Sequence, residues 1–318
     1  MAVGCLINTR LRVLGLVTVA ALGSGCQHSS ESAAELVYSK HGTSNGDVVK
    51  PRAIAIDKND YVYVVDFTAR IQVFDRDGHY LTGWTTPTSL NGRPSGISIT
   101  PKGKVLLSDS HYHCLRIYEP YSPEDPDAAG REIRKIDPHN EDGTPLFQYI
   151  GDAVEDEDGF LYVADAQERN RIVKLDREEK VVRIWGSTGN EQGQFQRIRA
   201  MVLGPDKLLY VADACNHRIQ VFNREGEFVR VWGTMGHGDG ELSYPYDLDF
   251  GPDGNLYVIE FGNQRVQKFT RFGESLGAWG SPGDGDGELR SPWGLAVDSK
   301  GAIHVLDSEN HRIQRIRF

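Results

Sequence analysis

After residue 35 the chain is a succession of short apolar runs, many alternating with polar residues and closed by Gly, Asp, Asn or Pro, with no helical period of useful length. That patterning belongs to strands joined by tight turns. The runs also recur. LYVADACNHRIQVFNREGEFVRVWGTMGHGDGEL, residues 209–242, returns as LYVIEFGNQRVQKFTRFGESLGAWGSPGDGDGEL, residues 256–289. Aligning on the acid that ends the second run of each unit gives Asp66, Asp109, Asp165, Asp213, Glu260 and Asp307, spaced 43, 56, 48, 47 and 47 residues apart. Each unit reads as a first strand such as PYDLDF, a second such as FLYVAD, a third such as RIQVF and a fourth such as FVRVWG.

Four antiparallel strands in about 45 residues, repeated, predict propeller blades, because one four-stranded sheet has no means of burying both its faces alone. Six units predict an all-β, six-bladed β-propeller over residues 35–318. The pattern lacks the GH and WD dipeptides of the WD40 type. It resembles the NHL repeat, on the strength of NHRIQ at Asn216–Gln220 and again at Asn310–Gln314; unit two departs from it, with Cys114 in place of the arginine. The last unit stops at Phe318 after its third strand, while Glu35–Pro51 reads like a fourth strand and exit loop. An N-terminal strand within Glu35–His41 is therefore expected to complete blade six and remove an exposed edge.

The first 25 residues are of another kind. Arg10 and Arg12 precede the apolar run Val13–Leu22 and the small-residue stretch LGSGC, the marks of a secretory signal that is too short for a membrane span. LGSGC resembles a bacterial lipobox, with Gly23 where leucine is usual. Cys26 is the expected lipidation site, ordinary cleavage to a soluble periplasmic product being the alternative. Gln27 in place of aspartate favours an outer-membrane anchor, with residues 26–34 as a polar tether. The formal charge is −10, and loss of Arg10 and Arg12 takes it to −12. Such a chain lacks the basic footprint that nucleic acid or an anionic lipid surface requires. Cys114 and Cys215 remain as an intrachain pair whose meeting the sequence leaves open.

In a propeller the start of each innermost strand and the loop after each second strand open on one face, at the channel mouth. Arg52, Ser95, Asp152, Arg199, Tyr246 and Trp293 occupy that ring. Two guanidinium forks suit a carboxylate or phosphate, and two aromatic rings suit a planar or sugar-like group. The competing reading is that a channel mouth is merely wet and variable. The acids Asp66 to Asp307, the arginines Arg70, Arg171, Arg218, Arg265 and Arg312, and the tryptophans Trp84, Trp185, Trp232 and Trp279 hold constant repeat positions, which points to architecture. GDGDGE, Gly283–Glu288, has the look of a calcium loop but lacks its later ligands and reads as a repeat linker.

The blade pattern also resembles the peptidyl-α-hydroxyglycine α-amidating lyase, a family that holds a catalytic zinc through histidines at the position after proline. Here those positions are the Arg52 to Trp293 ring, without histidine, so no metal or other cofactor is expected by that route. His111, His113 and Cys114 lie together in sequence but alternate in direction along an extended chain. Glu119–Glu132, an insertion with three prolines, is expected as a solvated loop on the face away from the mouth, with a partner contact as the alternative. The expected function is an extracytoplasmic binding or scaffold module for an unidentified protein or anionic small molecule. The alternative is a channel-mouth hydrolase or lyase, amidating-lyase-like or lactonase-like, with a metal.

Overall fold

The structure is a computed structural model describing residues 33–87, Leu90 and residues 92–318. The expected signal segment and Cys26 lie outside the described residues, as does most of the expected tether.

Six four-stranded antiparallel sheets are present among the described residues. Blade 1 is Ala53–Ile56, Val62–Val65, Arg70–Phe74 and Tyr80–Thr85; blade 2 is Gly96–Ile99, Val105–Asp109, Cys114–Tyr118 and Glu132–Ile136. Blade 3 is Ile150–Glu155, Leu161–Asp165, Arg171–Leu175 and Val181–Trp185; blade 4 is Ile198–Leu203, Leu209–Asp213, Arg218–Phe222 and Phe228–Trp232. Blade 5 is Pro245–Phe250, Leu256–Glu260, Arg265–Phe269 and Ser275–Trp279. Blade 6 joins Leu295–Val297, Ile303–Asp307 and Arg312–Ile316 to the N-terminal Leu36–Tyr38. The closing strand is shorter than expected but correctly placed, with Leu36 opposite Arg315 and Tyr38 opposite Ile313.

Both faces of each second strand are buried, and the period of two divides its side chains between neighbours. Val62 and Val64 pack toward blade 6, beside Tyr38, Leu306 and Ile313. Tyr63 and Val65 pack toward blade 2, beside Ile97, Val105 and Leu107. Each of the six apolar cores is shared between two adjacent blades.

The tryptophan column lies in these seams. Trp185 contacts Tyr162 of its own blade and Phe222 of the next, and Trp232 repeats the arrangement with Tyr210 and Phe269. Trp84, Trp185 and Trp232 each sit over a glycine of the next blade. A Cβ on Gly226 would lie 2.6 Å from Trp185, and one on Gly273 would lie 2.6 Å from Trp232. Trp232 stands opposite Ile219, as Tyr38 stands opposite Ile313, so Tyr38 is the tryptophan of the closing strand. It covers Gly78 of blade 1 in the same way, at 2.6 Å from a notional Cβ.

The acid and arginine columns tie each blade to the loop before it. All six acids are fully buried. Asp213 accepts from Arg218 Nε at 2.8 Å and from the Gln196 N–H at 2.7 Å, while Arg218 donates to the carbonyls of Asn190, Glu191 and Gln194. Glu260 with Arg265 and Asp307 with Arg312 repeat this. In unit two the partner of Asp109 is Arg116, at 2.8 Å, two residues beyond Cys114 and so on the same side of the strand. In GDGDGE, Glu288 accepts the Gly285 N–H at 2.8 Å and Arg312 donates to the Gly285 carbonyl, the contacts of a stapled linker.

Candidate functional site

All six ring residues line one central cavity of about 460 Å³, which runs between the innermost strands. The strands reach the mouth differently. In blades 3, 4 and 5 the pairing of first and second strands shifts register between Ile150 and Ala153, Ile198 and Met201, and Pro245 and Asp247. Those irregularities fall on Asp152, Arg199 and Tyr246, and a bulge of this kind re-aims a side chain. The pairing of blades 1 and 2 stays regular beside Arg52 and Ser95.

The two arginines converge on the same aromatic surface. The Arg52 guanidinium lies 4.7 Å from the Trp293 ring centre, and that of Arg199 lies 5.1 Å from the same ring and 4.7 Å from Tyr246. Tyr246 is held edge-on to Trp293 at 6.0 Å and stacks on Phe261 at 4.5 Å. Arg199 is 6 % exposed, yet its Nε and that of Arg52 are buried without a hydrogen-bond partner. Neither guanidinium has an acid within ion-pair distance among the described residues. Withdrawal from water lowers the affinity of both for their protons, and the Arg199 charge adds to the effect at Arg52.

The remaining ring members face the wall. Ser95 donates to the Ile150 carbonyl at 2.6 Å. Asp152 accepts the Met201 N–H at 2.8 Å, bridging blade 3 to blade 4. Burial pushes the Asp152 carboxyl up to about 7, against the pull of that N–H and of Arg199. Sequence reasoning passed over Asp247 and Asp249, which line the same cavity and accept the N–H groups of Leu295 and Val297 in blade 6. Burial raises both, Asp249 to about 6, and the neighbouring Asp152 raises Asp247 further. Their alternation in PYDLDF places both on the channel side of one strand, a signal that was available.

Also missed were Arg93 and Arg197, two residues before Ser95 and Arg199. The Arg93 guanidinium lies 4.3 Å from the Phe67 ring, which Arg52 approaches at 5.8 Å, and Arg197 lies 5.7 Å from Tyr246. The histidine cluster of unit two does not assemble. His111 meets the edge of Tyr149, His113 engages the Gln148 carbonyl at 2.8 Å, and Cys114 is buried with its thiol pushed up to about 11. Cys114 and Cys215 form no disulfide. No group of three His, Cys, Asp or Glu side chains suited to a metal exists among the described residues. The zinc implied by the lyase resemblance therefore finds no donor set here. Within the insertion of blade 2, Tyr121 packs on Tyr61 of blade 1 at 4.8 Å.

The model of the NHL repeat matches residues 195–222 and 289–316, in blades 4 and 6. The chain is a six-bladed β-propeller that carries NHL repeats. It is 26 % identical to NHL repeat-containing protein 3 of Mus musculus over 187 residues, 53 % of this chain and 50 % of that protein. It is 33 % identical to the peptidyl-glycine alpha-amidating monooxygenase of Mus musculus over 135 residues, 41 % of this chain and 13 % of that one. The matched segment thus spans half of the first relative and a small part of the second. Among solved structures, one described as a streptogramin B lyase superposes with a TM-score of 0.59 at 14 % identity, covering 88 % of this chain and 96 % of the other. A Bacteroides thetaiotaomicron protein of unknown function gives 0.66 at 17 % identity, covering 88 % and 74 %. At these identities the propeller shares its fold with them, and nothing more follows.

Proposed function

We propose that this NHL propeller is a binding module that captures a small anionic molecule at its channel mouth. The observation that carries the reading is the pair of buried, unpartnered guanidinium edges of Arg52 and Arg199 on one cavity wall. A buried cation without a partner is costly to keep, and a bound oxyanion is the group that would satisfy it. The aromatic rings hold the guanidiniums in place, and a cation desolvated against an aromatic face gains roughly 0.5–2 kcal/mol. On the signal pattern of residues 1–25, the same reading places the protein outside the cytoplasm, anchored through Cys26, with its acidic charge excluding nucleic acid as a partner.

The test is calorimetric titration of benzenesulfonate into the wild-type protein and into Arg52→Gln/Arg199→Gln. The double variant is expected to lose binding while melting at the same temperature or higher, since two uncompensated buried charges have gone. Unfolding of the double variant would make the arginines structural braces and end the reading.

A second reading has its own support. Asp152, lifted to about 7 in the same cavity, can hold or release a proton near neutral pH, which suits a hydrolase or lyase acting on the captured anion. The solved lyase of like fold makes the class reasonable, without supplying residues. Retained binding with lost turnover in Asp152→Asn would favour it.

A further inference from the structure

We propose that the mouth selects a doubly charged oxyanion, of the phosphate monoester type, over a singly charged one. This rests on the anion-capture reading and narrows its ligand.

Guanidinium and aromatic groups alternate in one unbroken row across the mouth. Arg93 and Arg52 share the Phe67 ring at 4.3 and 5.8 Å; Arg52 and Arg199 share Trp293 at 4.7 and 5.1 Å; Arg199 and Arg197 share Tyr246 at 4.7 and 5.7 Å. The row draws its aromatic members from blades 1, 6 and 5 and its inner arginines from blades 1 and 4, so ring closure assembles it. None of the four guanidiniums has an acid within ion-pair distance among the described residues. Arg93 Nε donates to the Phe67 carbonyl, which fixes that side chain through a neutral acceptor.

Four like charges strung through shared rings repel one another. Arg199 and Arg93 both disfavour the charge on Arg52, and Arg197 disfavours that on Arg199. The acids nearest the row relieve little of this, because burial raises Asp152 and Asp247 toward the neutral form. In a chain of formal charge −10, such a concentration of positive charge is a local reversal of sign. One negative charge satisfies the inner pair and leaves the outer pair repelling. A second makes Arg93, which is half-buried, and Arg197, which is exposed, contribute through solvent at a strength that salt reduces.

Phenyl phosphate and phenyl sulfate have the same shape and tetrahedral oxyanion but differ in charge at pH 7, the second ionisation of a phosphate monoester lying near 6. Titrated by calorimetry into the full chain, phenyl phosphate is expected to bind at least tenfold more tightly. In Arg93→Gln/Arg197→Gln that ratio should fall to within about threefold, and in Arg93→Lys/Arg197→Lys, which restores the charge, it should recover. Equal affinity of the wild type for both anions, with both lost in Arg52→Gln/Arg199→Gln, would overturn the selectivity and leave the capture site standing. Failure of both anions to bind would overturn the capture site and the selectivity together. A ratio that survives the loss of Arg93 and Arg197 would also refute the role given to the row.

Discussion

Replacing Tyr38 tests whether a three-residue strand really locks the ring. The side chain is 7 % exposed, lies edge-on to Phe74 at 5.6 Å, seats on Gly78 and shares a 2.9 Å hydrogen bond between its hydroxyl and Nδ1 of the buried His304. Tyr38→Phe keeps the ring and removes one buried hydrogen bond, for a loss of about 1–2 kcal/mol. Tyr38→Ala also empties the seam between blades 6 and 1, and an aromatic side chain lost from a core costs about 3–5 kcal/mol. At this chain length the alanine variant should melt roughly 5–8 °C lower, read by differential scanning calorimetry alongside urea unfolding. Deleting residues 33–45 would go further, leaving Arg312–Ile316 as a bare edge with sharply lower solubility. A Tyr38→Ala variant within 1 kcal/mol of wild type, or a deletion variant that stays monomeric and stable, would refute closure by this strand.

Two further outcomes follow from burial. The native state keeps the Asp152 proton up to about pH 7, whereas an unfolded chain releases it near 4, so this stability is fully present below about pH 4 and is lost as pH rises through 7. Asp152→Asn should therefore stabilise the protein more at pH 8 than at pH 5 in urea unfolding; an equal effect at both would show that the carboxyl is not displaced from its ordinary range. Gly226→Ala combines a left-handed backbone at φ 80° with a Cβ driven into Trp185, and should cost about 2–4 kcal/mol. Gly143→Ala, at the same φ with open space around it, should lose only the backbone part, about 1 kcal/mol. Indistinguishable melting curves for the two would remove the seam packing from the account.

The fold was legible because each blade spends the same residue types at the same positions, so the period, the closing strand and the acid–arginine ties can be read by alignment alone. Arg116 shows the limit of reading one column at a time: the arginine absent at Cys114 reappears two residues on, where a strand returns to the same side. The six mouth residues were legible as a ring because every innermost strand begins there. What the ring does was not. Ser95 and Asp152 turn to the neighbouring backbone, Tyr246 and Trp293 pack against guanidiniums, and Arg93 and Arg197 arrive from loops. Those placements depend on register shifts and on the curvature of the closed ring, which no local pattern encodes.

The claim that the mouth arginines capture an oxyanion is tested most directly by soaking crystals of the protein in selenate and measuring anomalous diffraction at the selenium edge. A peak is expected in the central cavity within hydrogen-bond distance of the guanidinium group of Arg52 or Arg199. A map with no peak in the cavity, in crystals whose mouth is open to solvent, would contradict it.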